Sequence, residues 1–291
     1  MESLLGTGVA LVTPFNSNQE IDYAGLKKLL NFTADKGVDY YVVLGTTGES
    51  ATLTPSEKAQ ILEFVKKNNA NHLPIVYGIG GNNTSEILRS ITSSDLNGVD
   101  AVLSVSPYYN KPSQQGIFQH YTRIADKSPV PIILYNVPGR TGSNITADTT
   151  LRLAAHSNII GIKEASRDLE QAMKIVKGKP SDFMLISGED MLSIPLYALG
   201  ASGVISVLAN AFSNVFKAVY EAVKSNDFEK ATAHMLRLLE INPLMYEQSN
   251  PVGVKQVLEY FGICENHVRL PLVSASQELK NRITSILADP V

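Results

Sequence analysis

Eight short runs rich in Val, Ile and Leu recur along the chain, near residues 7–12, 39–44, 74–79, 100–104, 131–135, 159–163, 183–187 and 202–207. Their length and β-branched content predict parallel strands covered on both faces. Helical spacing of apolar positions appears between them. Leu26, Leu29 and Leu30 fall on one helix face, as do Ile61, Leu62 and Val65, and Ile87, Leu88 and Ile91. Thr54-Pro55-Ser56-Glu57 has the form of a capping box with proline at the first helical position. Thr84 is expected to cap the next helix. Strand–helix units at intervals of about 25–30 residues predict an α/β fold, a (β/α)8 TIM barrel, which typically takes about 250 residues. A helix near 211–224 follows the eighth run, and helical patterns near 227–242, 251–262 and 274–288 extend beyond it. Residues 1–224 are therefore expected to form the barrel and 225–291 a C-terminal helical extension. The rival, a doubly wound sheet, would carry a Gly-rich turn after its first strand. Here that run leads into Thr13-Pro14-Phe15.

Composition narrows the function classes. The 291 residues could build one large barrel or two smaller domains, and no Pro/Gly/Ser linker or charge block divides them. Lys plus Arg is 25 and Asp plus Glu is 28, a formal net charge of −3. That balance argues against a nucleic-acid partner and against a polybasic membrane anchor. Apolar residues make up 44% and charged residues 18%, a globular composition. No uncharged apolar stretch approaches the roughly 18 residues of a membrane span. The start, Met-Glu-Ser-Leu-Leu-Gly, has an acid where a signal peptide has a basic region, and the lone Cys264 excludes an intrachain disulfide. The expected compartment is the cytoplasm.

Barrel active sites form where the strands end, so the residues after each run carry the chemistry. Lys163 closes Ile159-Ile160-Gly161-Ile162-Lys163 and by period-two counting shares a face with Gly161 and Ile159. If that face lines the barrel interior, a lysine stands among apolar side chains, where it is rare. Desolvation lowers a lysine's pKa, and the neutral amine attacks carbonyls. The alternative is a side chain that snorkels to water. Glu164, its neighbour, is a weak ion-pair candidate, since adjacent strand residues point to opposite faces. Gly45-Thr46-Thr47-Gly48 offers hydroxyls and convergent N–H groups to an anion, or is a self-capping strand-to-helix turn. Tyr135, one unit before Lys163, could relay protons or be a core tyrosine. Arg140, in a Pro-Gly loop, could grip a carboxylate or be an exposed charge. Tyr108 and Tyr109 could be interface packing. Gly78-Ile79-Gly80-Gly81-Asn82-Asn83 lacks the last glycine of a dinucleotide fingerprint. The histidines His72, His120, His156, His234 and His267 are too scattered for a metal pair and read as surface or satisfied.

Taken together, six segments resemble those of the dihydrodipicolinate synthase family, within the pyruvate-dependent class I aldolases that include N-acetylneuraminate lyase. They are Ala10-Leu11-Val12-Thr13-Pro14-Phe15, Gly45-Thr46-Thr47-Gly48-Glu49-Ser50-Ala51-Thr52-Leu53, Pro107-Tyr108-Tyr109-Asn110-Lys111-Pro112, Tyr135-Asn136-Val137-Pro138-Gly139-Arg140-Thr141-Gly142, Gly161-Ile162-Lys163-Glu164-Ala165 and Arg269-Leu270-Pro271-Leu272-Val273. The resemblance implies a Schiff base between Lys163 and pyruvate, with Thr46 and Thr47 on the pyruvate carboxylate. It implies a proton relay of Tyr135, Thr46 and Tyr109, the last reaching a neighbouring subunit's site. Arg140 would bind the carboxylate of L-aspartate 4-semialdehyde, and Gly188 and Ile205 would line the pyruvate site. The implied product is 4-hydroxy-tetrahydrodipicolinate, on the route to lysine and diaminopimelate, made without metal or organic cofactor by a homotetramer, a dimer of dimers.

Two departures from the family pattern stand out. Gly253 replaces a second proline in Asn250-Pro251-Val252-Gly253-Val254-Lys255, which is expected to alter loop stiffness. Ser50, Ala51, Asn82, Glu86 and Tyr108 match the family's positions for feedback inhibition by lysine. Yet Pro55 and Lys58 stand where sensitive members carry histidines, so weak or absent inhibition is expected. Two rival functions share part of this chemistry: an aldolase acting on a 2-keto-3-deoxy sugar acid, and a non-catalytic barrel that binds a ketoacid. Arg140 and Tyr109 favour the synthase over the first, and the full set of reacting groups over the second.

Overall fold

A computed structural model describes residues 4–288. All eight apolar runs form strands, with ends within two residues of expectation: β1 Gly6–Ala10, β2 Tyr40–Val43, β3 Ile75–Gly78, β4 Ala101–Val105, β5 Ile132–Asn136, β6 Ile159–Glu164, β7 Met184–Ser187 and β8 Gly203–Ser206. They run in chain order in a closed barrel. Each is buried at nearly every position, which is why none shows alternation with polar residues. The helices are α1 Tyr23–Asp35, α2 Pro55–Asn68, α3 Thr84–Ser93, α4 Gln114–Lys127, α5 Pro138–Thr141, α6 Ala147–Ala154, α7 Leu169–Gly178, α8 Ser193–Ala198, α9 Ala209–Lys224, α10 Phe228–Leu236, α11 Val252–Tyr260 and α12 Gln277–Ala288.

The chain divides into two compact units. One comprises Pro74–Ile205 with Leu4 and Leu5, and holds the strands from β3 onward with α3 to α8. Its strands pair in parallel. Tyr135 is the register partner of Lys163 and Asn136 of Glu164, and Lys163 in turn partners Ile186. Ile132, Ile133, Leu134, Ile162, Leu185 and Ile186 are fully buried and form its core.

The other unit comprises Gly6–Leu73 and residues 206–288. Here α9 packs on β1 and buries Val215, Phe216 and Val219, and α10 and α11 pack on α9. The expected helix over 227–242 stops at Leu236. Beyond it the bonds tighten to three-residue spacing (Leu238 to Met235, Leu239 to Leu236) ahead of Pro243, which has no N–H to continue the ladder.

Of the two expected caps, one forms. The Thr54 N–H donates to Glu57 Oε2 at 2.8 Å, and the Glu57 N–H returns to Thr54 Oγ1 at 3.3 Å. At α3 the cap is Asn83 instead, because Asn83 holds the extended conformation that an N-cap requires and accepts from the Ser85 N–H. Thr84 is already helical, and its hydroxyl bonds His120 Nδ1 at 2.8 Å. His120 is buried with Nε2 unpartnered, so it is less fully satisfied than expected, and burial pushes its pKa down to about 4.

Candidate active site

Strand register places Tyr135 and Lys163 side by side. Paired residues on neighbouring strands point to the same face, and the Lys163 amine stands 4.3 Å from the centre of the Tyr135 ring. Lys163 is 6% exposed. No ion pair or hydrogen bond takes its amine among the described residues. The next residues, Asn136 and Glu164, occupy the opposite face, where Glu164 meets Gln171 of α7. Lys163 therefore lies on the face turned away from the helices, as the interior alternative requires. Ile186 partners Gly203, so Ile205, two residues on, shares the Lys163 face and is buried. Gly188 lies beside the lysine stem. A Cβ there would sit 3.1 Å from Lys163 Cε and 2.6 Å from the Ala165 Cβ, so only glycine fits.

Behind this pair lies a buried polar cluster. Glu164 accepts from Asn136 Nδ2 with both oxygens at 3.0 Å, from Gln171 Nε2 at 2.9 Å and from the Ser166 N–H at 2.7 Å. Burial pushes its carboxyl pKa up, against the lowering effect of these donors. Asn136 Nδ2 also donates to Asn144 Oδ1, and Asn136 Oδ1 accepts from the Ile145 N–H. The residues directly following Tyr135 and Lys163 thus lock the ends of β5 and β6 to each other and to the loop beyond Arg140. Arg140 itself is exposed, with its guanidinium unpaired among the described residues. Tyr109 is 88% exposed and has left-handed backbone at φ 71°, an unusual state for a large aromatic residue.

Thr46 and Thr47 belong to the other unit. Thr46–Gly48 is one turn of 3-10 helix, in which the Gly48 and Glu49 N–H groups are taken by the carbonyls of Gly45 and Thr46. The N–H groups of Thr46 and Thr47, which open the turn, are not consumed by it. Thr13 Oγ1 donates to the Gly48 carbonyl at 2.7 Å, and Asn250 Nδ2 donates to Thr47 Oγ1 at 3.0 Å. That leaves the Thr47 hydroxyl hydrogen available. Among the positions expected from the resemblance to take part in lysine inhibition, Asn82 and Tyr108 are joined by a bond from Asn82 Nδ2 to the Tyr108 carbonyl at 3.1 Å. Glu86 is paired with Arg89. Ser50 and Ala51 lie in a second 3-10 turn, Ser50–Thr52.

Sequence reasoning missed the groups that hold these residues: Asn136, Asn144, Gln171 and Glu164 in one unit, and Glu49, Asn250 and Lys255 in the other. One signal was present. Lys255, with Gln256 beside it, interrupts an apolar stretch, Val252 to Leu258, that is buried at every position. Gly253 is also explained differently. It lies in the first turn of α11, not in a loop, where a Cβ would sit 2.5 Å from Met245 Cα and closer still to the Leu244 carbonyl. Among the described residues no three His, Cys, Asp or Glu side chains converge on a metal position, and no helix is long and apolar enough to cross a membrane.

Known proteins resemble the chain over nearly its whole length. The 4-hydroxy-tetrahydrodipicolinate synthase of Cytophaga hutchinsonii is 53% identical over 283 residues, spanning 97% of this chain and 95% of that protein. The crystal structure of dihydrodipicolinate synthase from Aquifex aeolicus matches with a TM-score of 0.94 at 38% identity, covering 98% of this chain and 97% of that one. The chloride-inhibited dihydrodipicolinate synthase from Acinetobacter baumannii complexed with pyruvate matches at 0.95 with 34% identity, covering 98% of both chains. Residues 3–289 match the sequence model of the Dihydrodipicolinate synthetase family, and on that span, with relatives alike from end to end, the chain belongs to this family.

Proposed function

We propose that the chain is a lyase of the class I aldolase type, 4-hydroxy-tetrahydrodipicolinate synthase, which condenses pyruvate with L-aspartate 4-semialdehyde in lysine and diaminopimelate biosynthesis. The observation that carries the reading is the buried Lys163 amine lying against Tyr135, held by no ion pair or hydrogen bond among the described residues. The neutral amine adds to C2 of pyruvate to give a carbinolamine. Tyr135 donates a proton to the departing oxygen, which leaves as water, and an iminium forms. The iminium draws electrons from the methyl group, which loses a proton to give an enamine. The enamine carbon bonds to the aldehyde carbon, and the aldehyde oxygen takes up a proton to become the hydroxyl. The substrate's own amine then attacks the iminium carbon, closes the ring and expels Lys163. The covalent intermediate is itself the electron sink, so the reaction is written without metal or organic cofactor.

The remaining roles follow the family resemblance and are supported by local geometry. Thr46 and Thr47 hold the pyruvate carboxylate, supported by the N–H groups that their turn leaves unused. Arg140 takes the carboxylate of the aldehyde substrate, supported by its unpaired guanidinium. Gly188 and Ile205 line the pyruvate site beside Lys163. Tyr109, with Thr46, extends the proton relay of Tyr135 from a neighbouring copy in a homotetramer, supported by its exposure and its strained backbone. Residues 1–224 are assigned to the catalytic barrel and 225–291 to the helical extension, and the compartment to the cytoplasm. A coupled assay offering L-aspartate 4-semialdehyde, or a 2-keto-3-deoxy sugar acid, tests the reading. Turnover confined to the semialdehyde and pyruvate is expected, and turnover of the sugar acid alone would refute it.

A further inference from the structure

Strain flanks the two threonines. Leu44, just after β2, and Glu49, after the 3-10 turn, both have left-handed backbone, with φ of 60° and 52°. Such residues are strained and persist where their surroundings hold them. Glu49 is held from the far end of the chain. Its Oε1 accepts from Lys255 Nζ at 2.5 Å, and its Oε2 accepts from the Arg269 N–H at 3.0 Å. The Lys255 side chain is 0% exposed and that of Glu49 2%. Lys255 also donates to the His267 carbonyl at 2.7 Å and stands 4.3 Å from the centre of the Phe15 ring. Gly253 lets the first turn of α11 approach Leu244 and Met245 so closely that Lys255, two residues on, enters this interior.

A dry ion pair is a weak source of stability, because removing two charges from water offsets most of their attraction. Its value here is geometric. Glu49 is the residue at which the Thr46–Gly48 turn ends and the Ser50–Thr52 turn begins, so fixing its carboxylate fixes the exit of the threonine turn. Asn250, five residues before Lys255, bonds the Thr47 hydroxyl directly.

We propose that Glu49 and Lys255 are positioning residues for the ketoacid, a pair through which α11 of the C-terminal extension sets where Thr46 and Thr47 present their N–H and hydroxyl groups. This rests on the reading of Thr46 and Thr47 as the carboxylate holders. The test uses the full-length Glu49→Gln/Lys255→Met variant, which removes both charges and leaves neither buried alone, with Thr47→Val and wild type in parallel. KM for pyruvate, KM for the semialdehyde, kcat and melting temperature are measured. In the double variant KM for pyruvate is expected to rise about tenfold with a cooperative melt and an unchanged KM for the semialdehyde, a split that a purely structural role would not produce. If that variant does not fold, Glu49→Asp, which keeps both charges but shortens one arm, is expected to show the same split at several-fold size. A folded pair variant with the wild-type KM for pyruvate, alongside a raised value in Thr47→Val, would overturn the pair's role alone. An unchanged KM in Thr47→Val would remove the reading beneath it, and the proposal with it.

Discussion

Single residues gain their chemistry from partners that lie far along the chain. Lys163 could be singled out because a lysine ending an apolar strand is unusual in itself. Its neighbour Glu164 could not, because its meaning depends on Asn136, Asn144 and Gln171, which only the fold gathers. The same holds for Glu49 and Lys255, 206 positions apart. Gly188 gives a sharp test at this scale. Gly188→Ala adds one methyl against Ala165 and the Lys163 stem. It is expected to lower kcat by about 100-fold through displacement of the amine, at a stability cost of about 1–3 kcal/mol from overpacking. Steady-state kinetics and thermal melts on the same preparation check both parts, and wild-type kcat would contradict the placement.

At the scale of elements the strands were legible and several boundaries were not. Parallel strands buried on both faces leave a dense apolar signature that few other elements share. The end of α10 and the cap of α3 turned on backbone details: a proline several residues downstream, and an asparagine rather than a threonine in extended conformation. The start of α2 shows how one cap serves two purposes. Glu57 closes the capping box with Thr54 and also receives Arg269, whose guanidinium bonds both of its oxygens, Nη1 at 3.0 Å and Nη2 at 2.5 Å. The Arg269 guanidinium holds the Glu57 carboxyl down at about 2, against an ordinary value of 4.5. The folded pKa is the lower one, so this contribution to stability is complete above about pH 4.5 and is lost as the pH falls towards 2. Glu57→Gln should therefore be less stable than wild type at neutral pH, with the gap closing between pH 4.5 and 2. Chemical denaturation across that range measures it, and a pH-independent gap would contradict the pairing.

At the scale of the whole molecule the sequence resemblance covers nearly the whole chain, so the fold and the candidate reacting groups could be read together. The shared pattern leaves regulation to be settled at individual positions. Lys58, in the first turns of α2, is half-buried, and burial pushes its ammonium pKa down. A cation at that position opposes a cationic effector. Titrating lysine into the coupled assay should show weak or no inhibition, and half-inhibition well below millimolar would refute that expectation. The most direct test of the central claim is the intact mass of the full chain after borohydride treatment with pyruvate. The wild type should gain one reduced pyruvyl group, located at Lys163 by peptide mapping, and Lys163→Ala should gain none. An unmodified wild type, or an adduct at any other lysine, would contradict the account.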